Sequence, residues 1–433
     1  MAGGTWETQT KVRPGAYINF ETNSLNAAGL VSAGALVIPI ALDWGEVGKF
    51  IKVSTSTKFK EVFGKDLAEI TSIREAFKAT ANIFVYNLNG VGERAAASSG
   101  DGGLIVTAKF GGADGNKISI TSTIGLDGSV TIKTYFDAKL VNTQKVKTID
   151  ELQENGFVSF DGELPTNDAT LTLTGGSTAP ATNDSISKFA KALGTLNFKV
   201  VAYGTDDETT KSLIALKVKE LKENNGKRVA FVTNNYNAAD HETTISVKNW
   251  VMIDGGEIIE AKDAVYWYGG AYAAATTESL TYATYPEAID CEPLDDDEII
   301  QALKDGHIIF TRNNDVIVVE QDINTFRSFT VEKNQDFRKN KIVRGMDIIG
   351  NNVQYIFGKY FIGKVNNHDD GRDLFKKEIM KTVLDPYTGT VIDSYVPDDI
   401  VIVQGDEKDA VYVEMGLFFI DATEKLYMRV ACK

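Results

Sequence analysis

His241, His307 and His368 are the only histidines among 433 residues, so they bound the imidazole chemistry open to this chain. An imidazole works as base or metal ligand only with a nucleophile, a carboxylate or an ion within hydrogen-bond reach. None of the three lies in a zinc-protease pattern, and no serine lies in a Gly-x-Ser-x-Gly elbow. A Ser-His-Asp constellation is assembled in space rather than along the chain, so the sequence leaves that one open. Carboxylates are numerous, but nothing in the sequence pairs two of them as a glycosidase would.

Two stretches imitate ligand sites. Gly90-Val91-Gly92-Glu93-Arg94-Ala95 follows a predicted strand and matches a G-x-G-x-x-A dinucleotide fingerprint. That chemistry needs a helix straight afterwards, whose N-terminus holds the pyrophosphate. Here Ala96-Ala97-Ser98-Ser99-Gly100 follows, a poor helix, and 90–103 reads as a linker. Asn366-Asn367-His368-Asp369-Asp370 offers metal-ligand types but reads better as a polar loop between helices. Cys291 and Cys432 are far apart, with no metal-ligand spacing and no disulfide framework. No cofactor or metal is expected, and no motif supports an enzyme.

The elements that would position any site alternate between two styles. Residues 31–42 read as a buried strand, 61–78 as a helical segment with Ile73, Ala76 and Phe77 on one face, and 82–86 as a strand. Residues 104–174 are short alternating strands with Gly, Asn and Asp turns, which reads as an inserted β-sandwich. Strand and helix then alternate again. A helix over 186–193 is capped by Asp184, followed by a strand over 198–203, an amphipathic helix over 209–224 and a strand over 228–232. This order implies α/β architecture with parallel strands. Tyr266, Trp267, Tyr268 and Tyr272 fall in a further helix. Asp295-Asp296-Asp297 opens another, and Asn313-Asn314 turns a hairpin. Residues 335–364 and 372–384 read as helical. Residues 411–420 and 426–432 read as the strands of a terminal hairpin about a turn at 421–425.

Hydrophobic content of 43% and charged content of 24% are ordinary for a soluble globular protein. A net charge of -15 argues against nucleic acid, whose phosphates need a basic surface. No apolar run is long enough to span a bilayer, and the N-terminus lacks the pattern of a signal peptide. A cytoplasmic, non-membrane protein is expected. Chain ends are usually polar unless something ties them down. Here Ala16, Tyr17, Ile18, Asn19 and Phe20 form a β-prone run near one end. Leu426, Tyr427, Met428, Arg429, Val430, Ala431 and Cys432 form another at the other. Either each pairs within its own subunit, or each adds to the sheet edge of a neighbour.

Met1-Ala2-Gly3-Gly4-Thr5-Trp6-Glu7-Thr8-Gln9, followed by Lys11-Val12-Arg13-Pro14-Gly15-Ala16-Tyr17, resembles the opening of contractile phage tail sheath proteins. The similarity is to the prophage and tail-like bacteriocin sheaths of Gram-positive bacteria. Gly112-Ala113-Asp114-Gly115-Asn116-Lys117-Ile118, Asp322-Ile323-Asn324-Thr325, Asn367-His368-Asp369-Asp370-Gly371-Arg372 and Glu424-Lys425-Leu426-Tyr427-Met428-Arg429-Val430 extend it over the whole chain. The resemblance implies a multidomain α/β protein. Its expected parts are an N-terminal arm (1–24), the first part of an α/β core (25–95), a β-sandwich (96–178), a subtilisin-like α/β domain (179–333) and an α+β C-terminal sheath domain with a terminal arm (334–433). The likeness to subtilisin would be of fold only, because no Gly-Thr-Ser nucleophile motif is present.

The implied function is a sheath subunit, stacked as hexameric rings around an inner tube, contracting to drive that tube through a target envelope. Partners would be other copies, the tube protein, and baseplate and tail terminator proteins. The particle would assemble in the bacterial cytoplasm and leave in a virion or tail-like particle. The two end strands would cross into adjacent subunits. Arg338, Lys339, Lys341 and Arg344 cluster in an acidic chain. They would either face acidic groups of the tube or form an ordinary solvated helix face. The competing readings are a hydrolase built on the α/β domain and a self-assembling surface-layer or adhesin-like protein.

Overall fold

The computed structural model describes residues 34–431 apart from Asp101, with the backbone alone of Ala2–Gly4 and Gly15–Tyr17. It divides into two units. Ala33–Arg344 and Asp421–Lys433 belong to one, and Gly345–Ile420 to the other.

The first unit is built on a seven-stranded sheet. Its order is His307–Ile308, Thr244–Val247, Ala230–Asn234, Val200–Ala202, Leu36–Ile40, Ile83–Asn87 and Phe50–Val53. All neighbours are parallel except the last pair. Leu36, Val37 and Ile38 are fully buried, as strands covered on both faces must be. Pro39 is tolerated because Val200–Ala202 pairs only with Leu36 and Val37, so no ladder partner is missing on that side. Helices Thr71–Phe77 and Ala261–Ala274 pack on one face with Ile38, Ile73 and Tyr268. Asn183–Leu193 and Glu208–Glu223 cover the other with Val37, Phe189 and Ile214. Gly269 lets the aromatic helix lie against the sheet, since a Cβ there would come within 2.7 Å of the Ala202 side chain.

Between Asn87 and Asn183 the chain builds the β-sandwich. One sheet has the order Lys139–Val146, Val130–Phe136, Ile118–Ile124, Ala169–Thr172. The other has Val158–Asp161, Ile105–Ala108, Ala96–Ser98. The entering strand Gly90–Glu93 pairs antiparallel with the leaving strand Ser177–Ala179. Asn116 reinforces this junction, its side chain exchanging hydrogen bonds with the Gly176 backbone at 2.8 Å each way. Trp44 fills the sandwich core beside Phe110, Phe136 and Phe157.

Several sequence expectations are corrected here. The stretch 90–103 is not a linker, because Gly90–Glu93 and Ala96–Ser98 are strands. The helical segment 61–78 is three short pieces, Phe59–Phe63, Leu67–Glu69 and Thr71–Phe77. The first stops at Gly64, whose φ of 74° a helix cannot continue. Thr182, not Asp184, caps the helix Asn183–Leu193, accepting from the Ser185 backbone.

The second unit combines helices with one hairpin. Asp369–Glu378 runs on into a π-helical turn, Ile379–Leu384, and Phe361 packs on Phe375 with ring centres 4.6 Å apart. Among the described residues no helix is long and apolar enough to cross a membrane.

Candidate assembly surfaces

The second unit's hairpin is the surface the sequence misassigned. Val411–Met415 does not pair with the chain end. It pairs antiparallel with Ile400–Gln404, from Ile400 opposite Met415 to Gln404 opposite Val411. The β-branched run Ile400-Val401-Ile402-Val403 before Gly405-Asp406 was the available signal. Ile400, Ile402, Val411, Val413 and Met415 point into the core, while Val401, Val403 and Tyr412 point outward and are exposed. Among the described residues neither outer edge of this hairpin has a partner strand.

The Asn366 to Asp370 stretch supports that hairpin. His368 Nδ1 accepts from the Gly371 backbone at 3.0 Å and so caps Asp369–Glu378. Asn367 donates to the carbonyls of Lys408 and Ala410 in the hairpin turn, at 2.9 and 2.7 Å. Gly371 is required by closeness, since a Cβ would meet the Asn366 carbonyl at 2.2 Å.

The C-terminal run Leu426 to Ala431 is not a strand and makes no ladder within the described residues. Leu426, Tyr427, Met428 and Val430 are 71–88% exposed. Four large apolar side chains of this run therefore stand in water. Cys432 lies outside the described residues. At the other end, Ala16 and Tyr17 fall in Gly15–Tyr17, which pairs parallel with Ala2–Gly4. Ile18, Asn19 and Phe20 lie outside the described residues.

The four basic residues do not share an exposed face. Arg344 is 2% exposed and pairs with Asp322 at 2.8 Å. Lys339 is bound by Glu424 and Asp421. Arg338 is partly buried and donates to the Leu303 carbonyl, and Lys341 is partly exposed. Arg338 precedes the helix Asn340–Ile356, so only Lys341 and Arg344 of the four lie on it.

The histidines are held apart. His368 is the cap already described. His241 sits between Thr243 at 2.8 Å and Glu223 at 3.0 Å, on the first unit. His307 Nδ1 and the Ser246 hydroxyl are 2.8 Å apart on adjacent strands. Both side chains are buried, and Ser246 also accepts from the Tyr236 backbone. A nucleophile sealed in a sheet meets no substrate, so this pair is structural.

Burial, helped by Lys248, depresses the His307 imidazole to about 4. Its folded value lies below the ordinary 6.5, so the unfolded chain binds the extra proton and stability falls as pH drops from 6.5 towards 4. The full effect is about 3 kcal/mol. His307→Gln is expected to flatten that part of a stability-versus-pH curve measured by urea unfolding. An unchanged slope would contradict the assignment.

Residues 74–183 match the phage tail sheath protein β-sandwich domain, residues 179–325 the phage tail sheath protein central domain, and residues 332–433 the phage tail sheath C-terminal domain. Uncharacterized protein YqbK of Bacillus subtilis is 32% identical over 470 residues, with 100% of both chains covered. Phage-like element PBSX protein XkdK of the same bacterium is 31% identical over 468 residues, with 99% of each covered. The solved sheath tail protein of Desulfitobacterium hafniense is 34% identical with a TM-score of 0.82, covering 96% of this chain and 99% of that one. The sheath tail protein of Listeria innocua is 28% identical with a TM-score of 0.74, covering 92% and 94%. With full-length relatives and an ordered set of three matching domains, the chain belongs to the phage tail sheath family, as a structural component of a phage-type tail.

Proposed function

We propose that this chain polymerises as stacked hexameric rings around an inner tail tube and contracts to drive the tube through a cell envelope. It works without catalysis and without a bound fuel. The extended lattice is metastable, and contraction buries more surface between subunits. Its partners are other copies of itself, the tube protein, and baseplate and tail terminator proteins. It assembles in the bacterial cytoplasm and is carried out in a virion or tail-like particle. The six parallel strands with helices on both faces support a subtilisin-like reading of the core, as a fold alone.

One complementarity supports the assembly reading above all. The chain carries an exposed apolar end, Leu426 to Val430, and a hairpin whose outward apolar face and outer edges are open among the described residues. Each needs what the other offers. Pairing the end strands, Ala16 to Phe20 and Leu426 to Cys432, with other copies satisfies both, and a tether between body and paired strand lets the bodies rotate while the ladder persists. Of the four basic residues, Arg338, Lys339 and Lys341 are partly exposed and keep some surface for a tube contact, while Arg344 is buried.

Removal of residues 1–20 tests the reading. The expected product is folded, soluble protein that forms no tubular polymer in negative-stain electron microscopy. Normal polymers from the truncated chain would remove the N-terminal strand from the mechanism.

A further inference from the structure

The C-terminal arm has a defined root. Glu424 is 12% exposed on its side chain, whereas Leu426 and Tyr427 two and three residues later are 85% and 88% exposed. Three donors converge on the Glu424 carboxylate. The Thr281 hydroxyl gives a bond of 2.9 Å to Oε1, Gln321 Nε2 gives one of 2.7 Å to Oε2, and Lys339 Nζ forms an ion pair with Oε2. The same ammonium reaches Asp421 at 3.3 Å. Burial would raise the Glu424 pKa, yet the bonds from Lys339 and Gln321 hold it below the ordinary glutamate range.

The receiving side is preset. The Thr281 oxygen already accepts from the Asp322 backbone at 2.9 Å and from the Ser279 hydroxyl at 3.1 Å, so its own proton is directed to Glu424. The Lys339 backbone bridges Ile323, and the Arg338 carbonyl accepts from Asn324 N at 3.0 Å. Gln321 adjoins Asp322, the buried partner of Arg344. The strap itself has little apolar grip. Asp421, Ala422 and Glu424 line an open groove of about 560 Å³ together with Ile300, Leu303 and Phe329. What fixes the strap is therefore the polar clamp.

We propose that Glu424 is the positioning residue of the C-terminal arm. Clamped by Lys339, Gln321 and Thr281, it sets where residues 425–433 leave the body and hence how far they reach towards another copy. This rests on the reading that the arm pairs outside its own subunit. With the clamp open, the free segment begins at Asp421 and gains four residues, roughly 13 Å of extended chain. A longer tether lowers the effective concentration of the strand at an acceptor held at fixed distance. The clamp thus tunes the strength of the lattice without being part of the paired strand.

Limited trypsin digestion of the unassembled full chain, read by intact mass, separates the two claims. Arg429 lies beyond the clamp and serves as an internal reference, while cleavage after Lys425 needs the strap to leave the body. Glu424→Ala and Lys339→Met are expected to raise the Lys425-to-Arg429 cleavage ratio about tenfold, the factor that 1.4 kcal/mol corresponds to. Lys339→Arg is expected to keep the unmodified ratio, and thermal unfolding should be the same in all three. Polymerisation of Glu424→Ala should need a higher protein concentration. An unchanged cleavage ratio overturns the clamp, whatever happens to assembly. A raised ratio with unchanged polymerisation overturns its positioning role. A chain lacking residues 426–433 that still polymerises overturns the arm reading itself, and the positioning role with it.

Discussion

Arg344→Ala is expected to cost about 3–5 kcal/mol of folding stability, the range for removing one partner of a buried ion pair. Asp322 and Arg344 are 1% and 2% exposed. Asp322 Oδ2 accepts from Arg344 Nη2 at 2.8 Å and from the Leu280 backbone at 2.9 Å. Its Oδ1 accepts from the Tyr268 hydroxyl at 2.6 Å and from Asn340 Nδ2 at 2.9 Å. Arg344 also donates to the Glu278 carbonyl at 2.6 Å and lies 4.9 Å from the Tyr272 ring centre. Without the guanidinium, a buried carboxylate keeps neutral donors only, and Asp322→Ala strands the cation in turn. Replacing both, as Asp322→Leu with Arg344→Met, removes both charges and should hurt less than either alanine change. Burial by itself would raise the Asp322 pKa, but Arg344 and Tyr268 hold it below the ordinary 3.8. The pair's contribution is therefore complete above that value and is lost as pH falls through the lower, folded one. Urea unfolding at neutral and at acid pH measures this. Single variants within about 1 kcal/mol of the unmodified chain would refute the network.

The same residue shows where the sequence stops being informative. Local pattern reveals strands such as Leu36–Ile40 and helices such as Ala261–Ala274, because burial on a periodic element writes itself into consecutive residues. Arg344 reads as a surface charge because its partner, Asp322, lies 22 residues upstream and across a fold that the pattern does not encode. Lys339 is likewise answered by Glu424, 85 residues away. The terminal hairpin was misread for a related reason. Val411–Met415 has a β-prone run on either side, and alternation alone does not choose between them. The upstream run wins through packing, since Ile400 and Ile402 complete the core that Val411 and Val413 enter. The end run is left exposed, and alternation along the chain carries no signal of that exposure.

Deleting residues 426–433 should separate assembly from folding more sharply than any point change. The arm's large side chains are in water, and no ladder bond within the described residues involves them. Among the described residues its loss removes no ladder bond and no buried side chain, and thermal unfolding should be unaltered. Assembly is another matter. A strand added to an open edge of five residues makes two or three bonded pairs, about four to six main-chain bonds, each contributing about 0.5–1.5 kcal/mol net. That is a few kcal/mol at every joint, and burial of Leu426, Tyr427 and Met428 adds to it. Since 1.4 kcal/mol is about tenfold in an equilibrium constant, the protein concentration needed for polymer should rise at least about a hundredfold. Sedimentation across a concentration series reads the shift. Arg344→Ala should move in the opposite sense, with a large loss of stability whatever the concentration. If the deleted chain polymerised at the unmodified concentration, the exposed end would serve some contact other than lattice cohesion, and the hairpin edges would need a different partner.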